Sequence, residues 1–378
     1  MEFDCGRNAP MPRRQRLRIR RAGKFAARGE KDLVAAREPA FWSAKDDVHT
    51  TPSVGTGCAL SAGVTNPASV LCPIDFSGAS RVALCYAAAI ADHFDARLTV
   101  LAVDDPLLAE VAAVTGRVPS LRSETERELH KLVAETLPPR PRAAKPIDLR
   151  VDTGKPAPQI LQGAKDVAAE LIVMSSQGRS GARKMFFGST TERVLRETGV
   201  PVLVTRGNHM KVGSLKDARE NIRRILAPVD LTLNSPRQVA VAVRIASALS
   251  LPLILAHVLE PVFVPPRVRD VVPGSDAARR EYAEQQLAAL APSATLTAVV
   301  ETSVVSGEPS EEIVKLAEAR NAGLIVMGLH SSELFGARMG SVTYRVLCLT
   351  HALVLALPPQ AAASAAPTRA TAPSHVVL

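Results

Sequence analysis

The fold is decided by residues 70–106, which read VLCPIDFSGASRVALCYAAAIADHFDARLTVLAVDDP. An apolar run rich in β-branched residues enters a Pro-x-Asp turn, an alanine-rich segment with helical periodicity follows, and a second apolar run ends the stretch. Short apolar runs that alternate with amphipathic helix patterns are typical of βαβ units. The stretch therefore predicts an α/β fold with a parallel sheet.

The same pattern recurs in the second half of the chain. Residues 225–261 repeat it as ILAPVDLTLNSPRQVAVAVRIASALSLPLILAHVLEP, residues 170–181 match 323–334, and residues 188–206 match 340–358. The offset between matched positions stays between 152 and 155 residues. A nearly constant offset indicates a tandem duplication, and we call the two halves copy one and copy two.

Each copy carries five apolar runs that we predict as strands. In copy one they are ASVLCPID, RLTVLAVD, PIDLRVDT, ELIVMSS and VPVLVTR, and in copy two they are RRILAPVD, LPLILAHV, LTAVVETSV, GLIVMG and ALVLALP. The composition agrees, because 47% of the residues are hydrophobic and only 3% are aromatic, as suits helices packed on buried parallel strands.

We expect five segments along the chain. They are a basic extension at 1–65, domain one at 66–207, a linker at 208–219, domain two at 220–359 and a tail rich in alanine, proline and serine at 360–378. Residues 1–67 hold twelve basic and seven acidic side chains, more than half of the chain's net charge of +9. The extension is a disordered segment, coding sequence upstream of the true start, or a nucleic-acid-binding arm, and it lacks the interleaved aromatic residues of many such arms.

The cysteines and the hydropathy exclude several classes of protein. Five cysteines form no CxxC pair and no metal-ligand spacing with histidine, so neither a disulfide framework nor a zinc site is predicted. The chain has no run of roughly 18 apolar residues, and its basic start lacks the apolar core of a signal peptide. We expect a cytoplasmic protein with no membrane partner.

A glycine-rich loop, SSQGRSGARKMFFGST at 175–190, follows the fourth strand of copy one. Gly178 and Gly188 bracket nine residues, and Ser189 then begins a helical pattern. Backbone amides at such a helix start can bind an anion. The loop is neither a Walker sequence nor a GxGxxG fingerprint. The alternative is a capping box formed by Ser189 and Glu192.

Copy two argues against the capping box as the reason for the Gly-Ser pair. Its Ser341 is followed three residues later by Tyr344, which cannot complete a capping box, yet Gly340 and Ser341 are retained. A shared requirement beyond capping is therefore favoured.

The first two strands of each copy end in residues that could also contribute to a site. Asp75 and Asp230 follow the first strands, where a carboxylate either hydrogen-bonds a ribose or base edge or caps the next helix, alone or through Ser77. Val103 and Val258 end the second strands as core residues or as a wall for an adenine.

The combination resembles the universal stress protein family. The resemblance rests on the early P-[IV]-D turn, the valine that ends the second strand, and the G-x2-G-x9-G-[ST] loop, and it covers roughly 66–207 and 220–359. It implies two Rossmann-like domains of the adenine nucleotide alpha hydrolase type, each a five-stranded parallel sheet flanked by helices. It also implies adenine nucleotide binding and pairing through the last strand, either between the two copies or in a homodimer.

The resemblance places nucleotide contacts at particular positions of this chain. Those of copy one are Asp75, Val103, Ser175, Gly178, Gly188, Ser189 and Thr190. Those of copy two are Asp230, Val258, Gly328, Gly340 and Ser341. Asp75 would contact the adenine and ribose, Val103 would lie against the adenine, and the glycine loop would hold the phosphates.

Both copies depart from the family pattern. Ser175 stands where the motif has its first glycine. In copy two Ser331 replaces the second glycine, and eight residues separate it from Gly340 where the motif has nine. The departures favour copy one as the half that binds nucleotide.

We expect a stress-response protein that binds ATP, with or without Mg²⁺, as a regulatory ligand. No nucleophile and base can be paired from the sequence, so no catalytic residue is assigned. The alternatives are a scaffold with vestigial pockets, a slow ATPase, and nucleic-acid binding through the basic extension.

Overall fold

The computed structural model describes most of both copies. The described residues are 66–140, 144–177, 188–206, 212, 214–262, 275–291, 299–329 and 339–359. The predictions for the basic extension at 1–65 and for the tail at 360–378 lie outside them.

Strands and helices alternate along both copies. The elements of copy one are β1 (Ser69–Ile74), α1 (Gly78–Phe94), β2 (Arg97–Asp104), α2 (Pro106–Val114), α3 (Val118–Thr136), β3 (Ile147–Thr153), α4 (Pro156–Asp166), β4 (Leu171–Ser175), α5 (Ser189–Glu197) and β5 (Val202–Thr205). Helix α6 (Leu215–Ile222) joins the copies. The elements of copy two are β6 (Ile225–Pro228), α7 (Ser235–Leu249), β7 (Leu253–Leu259), α8 (Ser275–Leu290), β8 (Val300–Ser306), α9 (Pro309–Ala319), β9 (Leu324–Gly328), α10 (Ser341–Leu349) and β10 (Leu353–Leu357).

The ten described strands form one sheet in the order β3-β2-β1-β4-β5-β10-β9-β6-β7-β8. All pairs within a copy are parallel, and β5 and β10 pair antiparallel. The predicted fold class, a parallel α/β sheet in each copy, is confirmed. In both copies the strand order reverses beside the first strand, and ligands of doubly wound sheets bind beyond the carboxyl ends of the strands at such a point.

Helices cover both faces of the sheet. Alternate residues of β1 point to opposite faces, so Val70 and Cys72 join one buried cluster with the helices α1 and α3, whereas Leu71 joins a second cluster with α4 and α5. The small alanines of α1, among them Ala83 and Ala87, are completely buried and let that helix lie close to the strands. Burial also raises the pKa of the Cys72 thiol well above its ordinary value.

The two copies meet at the β5–β10 pair, where Leu203 lies opposite Leu355 and Val204 opposite Val354. These side chains are buried. Arg206, just beyond β5, donates hydrogen bonds from its guanidinium to the carbonyls of Leu347 and Cys348 at the end of α10. A cation at a helix C-terminus is favourable because it meets the negative end of the helix dipole.

The predicted linker at 208–219 ends in helical structure, which the sequence interpretation did not include. Ser214 begins α6 by accepting a hydrogen bond at 3.4 Å from the Asp217 amide. The helix ends against Gly323, whose amide donates to the Ile222 carbonyl at 2.8 Å. A Cβ atom on Gly323 would lie 2.5 Å from the carbonyl oxygen of Asn221 and 2.7 Å from the Cα of Ile222. Close backbone packing therefore requires glycine at 323, where copy one has Glu170.

We expect Gly323→Ala to lower the free energy of unfolding by about 1–3 kcal/mol, because the added methyl group meets rigid backbone atoms. Gly199→Ala is the matched control, since a Cβ there would have no atom within 4 Å. Urea denaturation of both variants measures the effect. If Gly323→Ala and Gly199→Ala change the free energy of unfolding equally, α6 can move away from residue 323 without loss of stability.

Candidate nucleotide site

A turn with the same backbone geometry follows the first strand of each copy. Phe76 and Leu231, each directly after the aspartate, have φ values of 63° and 59°. This left-handed conformation is uncommon for residues other than glycine, asparagine and aspartate, and it is unfavourable for large side chains. Its occurrence in both copies shows that the turn at this sheet edge is a shared feature of their backbones.

The aspartate carboxylates stabilise these turns. Oδ1 of Asp75 accepts hydrogen bonds from the Ser77 amide at 3.1 Å and the Ser77 hydroxyl at 2.6 Å. The Ser77 hydroxyl accepts from the Ser80 amide and caps α1. Oδ1 of Asp230 accepts from the Thr232 amide and from the hydroxyls of Thr232 and Ser235. Asp75 thus supports the helix cap through Ser77, which was one of the two alternatives drawn from the sequence.

The helix after the glycine loop does not begin with a capping box. Gly188 is the N-cap of α5, no side chain makes a capping hydrogen bond there, and Ser189 is the first helical residue. Glu192 instead forms an ion pair with Arg196, one helical turn further on. The capping-box alternative is therefore wrong, because the helix begins one residue earlier than the box requires, which makes Ser189 the first helical residue and not the cap.

Threonine hydroxyls hold both helix starts against the sheet. The Thr191 hydroxyl donates to the carbonyl of Ser175, the last residue of β4, at 2.9 Å. The Thr343 hydroxyl donates at 2.9 Å to the carbonyl of Gly328, the last residue of β9. Sequence reasoning missed both residues, although the recurrence of GSTT at 188–191 as GSVT at 340–343 was the available signal.

The amides of the glycines close the loop base in each copy. The Gly188 amide donates to the Ser176 carbonyl at 2.9 Å, and the Gly340 amide donates to the Leu329 carbonyl at 2.8 Å. The next three amides of each helix have no acceptor within the helix, as at every helix start. Two equivalent sets of amide donors therefore lie at the carboxyl edge of the sheet.

Neither glycine is required by its backbone conformation, because φ is −66° at Gly188 and −59° at Gly340. The two positions differ in the space that the protein leaves for a Cβ atom. A Cβ on Gly188 would lie 3.2 Å from the Ser176 carbonyl oxygen, which is tight, whereas the nearest atom to a Cβ on Gly340 would be 3.6 Å away, an ordinary contact. Packing among the described residues thus accounts for glycine at 188 but not at 340.

A cavity of about 300 Å³ lies at this edge of copy two. It is lined by all five predicted residues of that copy: Asp230, Val258, Gly328, Gly340 and Ser341. Arg237, Gln238 and His257 also line it, and the sequence analysis had assigned them no part in a site. The His257 ring nitrogen Nδ1 lies 2.9 Å from the Val229 carbonyl oxygen.

The described residues of copy one lie at the equivalent positions. Val103 is half-buried near the end of β2, and the Ser175 hydroxyl donates to the Gln177 carbonyl at 2.9 Å. Ser189 and Thr190 form the first turn of α5, with Ser189 exposed. Gly178 lies outside the described residues, as does Ser331 of copy two.

Comparison with known proteins identifies the family. The model of the universal stress protein family matches twice, at residues 68–206 and 221–358. The chain belongs to the universal stress protein family and carries two of its domains.

The chain is also similar to individual proteins of known sequence or structure. Universal stress protein YxiE of Bacillus subtilis is 29% identical over 144 residues, which are 36% of this chain and 97% of that protein. The crystal structure of a universal stress protein from Archaeoglobus fulgidus superposes with a TM-score of 0.54 at 21% identity, and the match covers 77% of this chain and 96% of the other. A universal stress protein crystallised in complex with cAMP matches 36% of this chain and 98% of its own at 24% identity, with a TM-score of 0.25.

We expect Thr191→Val and Thr343→Val each to lower the free energy of unfolding by about 1–3 kcal/mol, because a strand-end carbonyl loses its hydroxyl donor. Thr302→Val, at an exposed threonine on β8, is the matched control. Chemical denaturation compares the three variants. Losses no larger than that of the control would show that the hydroxyls do not hold the helix starts.

Proposed function

We propose that copy one binds ATP or a related adenine nucleotide as a regulatory ligand in a cytoplasmic stress response. The observation that carries the proposal is the helix start fixed at the carboxyl edge of the sheet, with Thr191 joining α5 to the end of β4. The first amides of α5, which have no acceptor within the helix, therefore lie at the carboxyl edge of the sheet, where doubly wound folds bind phosphates.

The phosphate end of the ligand would contact Gly188, Ser189 and Thr190, with Gly178 at the other side of the loop. Backbone amides provide partial positive charge without a cationic side chain, and the helix dipole adds to it. Ser189 is exposed at the first helical position, so its hydroxyl is accessible to a phosphate oxygen. If Mg²⁺ accompanies the nucleotide, it would neutralise phosphate charge beside these amides.

The nucleoside end would lie over the ends of β1 and β2. Asp75 is half-buried directly after β1, and Val103 is half-buried near the end of the neighbouring strand. A carboxylate can accept a hydrogen bond from a ribose hydroxyl, and a valine can cover one face of an adenine ring. Ser175, at the end of β4, would lie between these two ends.

Copy two supports the proposal because its equivalent residues line a single cavity. Gly340 has an ordinary φ, and the described residues leave room for a side chain there, so the retained glycine agrees with close approach of a ligand. The match to the protein crystallised with cAMP is weak, and the residues of this chain therefore carry the proposal.

The first experiment looks for the ligand itself. Protein purified without added nucleotide is denatured and its supernatant is analysed by chromatography, while ATP is titrated into the nucleotide-free protein by calorimetry. We expect copurified adenine nucleotide or binding below about 1 mM, which corresponds to roughly −4 kcal/mol. If neither is found, the proposal fails and the scaffold with vestigial pockets is favoured.

A charge substitution tests the site in copy one. We expect Ser189→Asp to weaken ATP binding by about tenfold or more through repulsion of the phosphates. The same carboxylate in the first turn of α5 stabilises the helix by about 0.3–1 kcal/mol, so a loss of binding would not reflect unfolding.

The controls for this substitution are Ser189→Ala, which removes only the hydroxyl, and Ser341→Asp, which makes the same change in copy two. Calorimetry and thermal melting are measured for each variant. If Ser189→Asp binds ATP as the natural protein does, the phosphates do not lie at α5.

A further inference from the structure

Copy two has a cation in its cavity where copy one has an apolar residue. The offset of 155 residues that relates Asp75 to Asp230 also relates Ser80 to Ser235 and therefore Val82 to Arg237. Arg237 is in the first turn of α7 and lines the cavity that contains Gly340 and Ser341. Arg237 thus brings to the copy-two cavity a positive charge that the equivalent residue of copy one, Val82, does not carry.

The structure holds the Arg237 guanidinium in place without neutralising it. Its Nη1 donates to the carbonyl of Pro358, directly beyond β10, at 2.8 Å. Within the part of the chain that the structure describes, no carboxylate lies within 4.0 Å of it. Burial lowers its pKa, yet an arginine remains charged at neutral pH. A half-buried cation without a counter-charge is unfavourable, and an anion in the cavity would remove that cost.

The acidic residues at the cavity do not pair with Arg237. Oδ1 of Asp230 is occupied by three hydrogen bonds from Thr232 and Ser235. Glu260 is exposed just after β7 and accepts a hydrogen bond from Arg279 at its backbone carbonyl. Among the described residues, the charge of Arg237 therefore has no carboxylate partner and is available to a ligand.

We propose that Arg237 is the anion-binding residue of copy two and that the ligand of this cavity carries a phosphate group. The inference rests on the proposed function, since it extends phosphate recognition to the second copy. It also gives a reason for the divergent loop. Ser331 replaces a glycine and the loop is one residue shorter, and the planar guanidinium of Arg237 would supply charge-assisted hydrogen bonds in place of loop amides.

The test follows hydrogen exchange in peptides of each copy while AMP, adenosine or inorganic phosphate is added to the full chain. Peptides spanning 225–240 and 339–349 report on copy two, and peptides spanning 69–82 and 188–197 report on copy one. We expect AMP to protect the copy-two peptides at about tenfold lower concentration than adenosine, because only AMP carries the anion.

Substitution of the arginine is the decisive step. We expect Arg237→Gln to raise by about tenfold or more the AMP concentration that protects the copy-two peptides from exchange. The protection of the copy-one peptides should stay unchanged. Arg237→Lys keeps the positive charge but not the planar guanidinium. The AMP concentration that protects its copy-two peptides should therefore lie between those of the natural protein and of Arg237→Gln. Arg244→Gln, at an exposed arginine on the same helix that does not line the cavity, is the matched control. Melting curves show which variants fold.

The outcomes separate this inference from the proposed function. Protection of copy two by inorganic phosphate but not by AMP would support the anion site and identify free phosphate as its source. Equal potency of AMP and adenosine, no protection of copy two by any of the three probes, or equal effects of Arg237→Gln and Arg244→Gln would each overturn the inference. The copy-one peptides test the proposed function independently, since Arg237 does not contribute to that pocket.

Discussion

The backbone pairing of β5 with β10 is the constraint on which the rest of the structure depends. A parallel five-stranded sheet exposes the edge of its last strand, and an exposed edge is prone to pair with other chains. In this protein each copy covers the edge of the other, with Val204 opposite Val354 in a buried antiparallel pair. The result is one continuous sheet of the ten described strands.

The two candidate sites share the same backbone geometry at the carboxyl edge of the sheet, and among the described residues no cluster of charged residues is common to them. In each copy a left-handed residue turns the chain after the first strand, and a threonine hydroxyl fixes the last helix to the end of the fourth strand. Although this backbone geometry is common to both copies, the two sites differ in the spacing of the glycine-rich loop and in the side chains around them. Arg237 at the position of Val82 is such a difference.

Much of the fold was predictable because hydrophobic periodicity reports directly on burial. The ten apolar runs correspond to β1–β10, and the predicted parallel α/β class is confirmed. The predicted positions of copy two line one cavity because the ends of neighbouring parallel strands share an edge. The capping box at Ser189 was wrong, since a shift of one residue in the helix start changes which side chain can cap.

By itself, the sequence determined the duplication, the parallel α/β class and the loop in which small residues recur, because repeats and periodicity are local properties of the chain. Only the tertiary structure decided what depends on packing between distant segments. The fit of Gly323 against the end of α6, the threonine hydrogen bonds to the strand ends, and the position of Arg237 in the copy-two cavity are of this kind. Each arises from atoms that meet across the fold, and no spacing along the chain specifies such contacts.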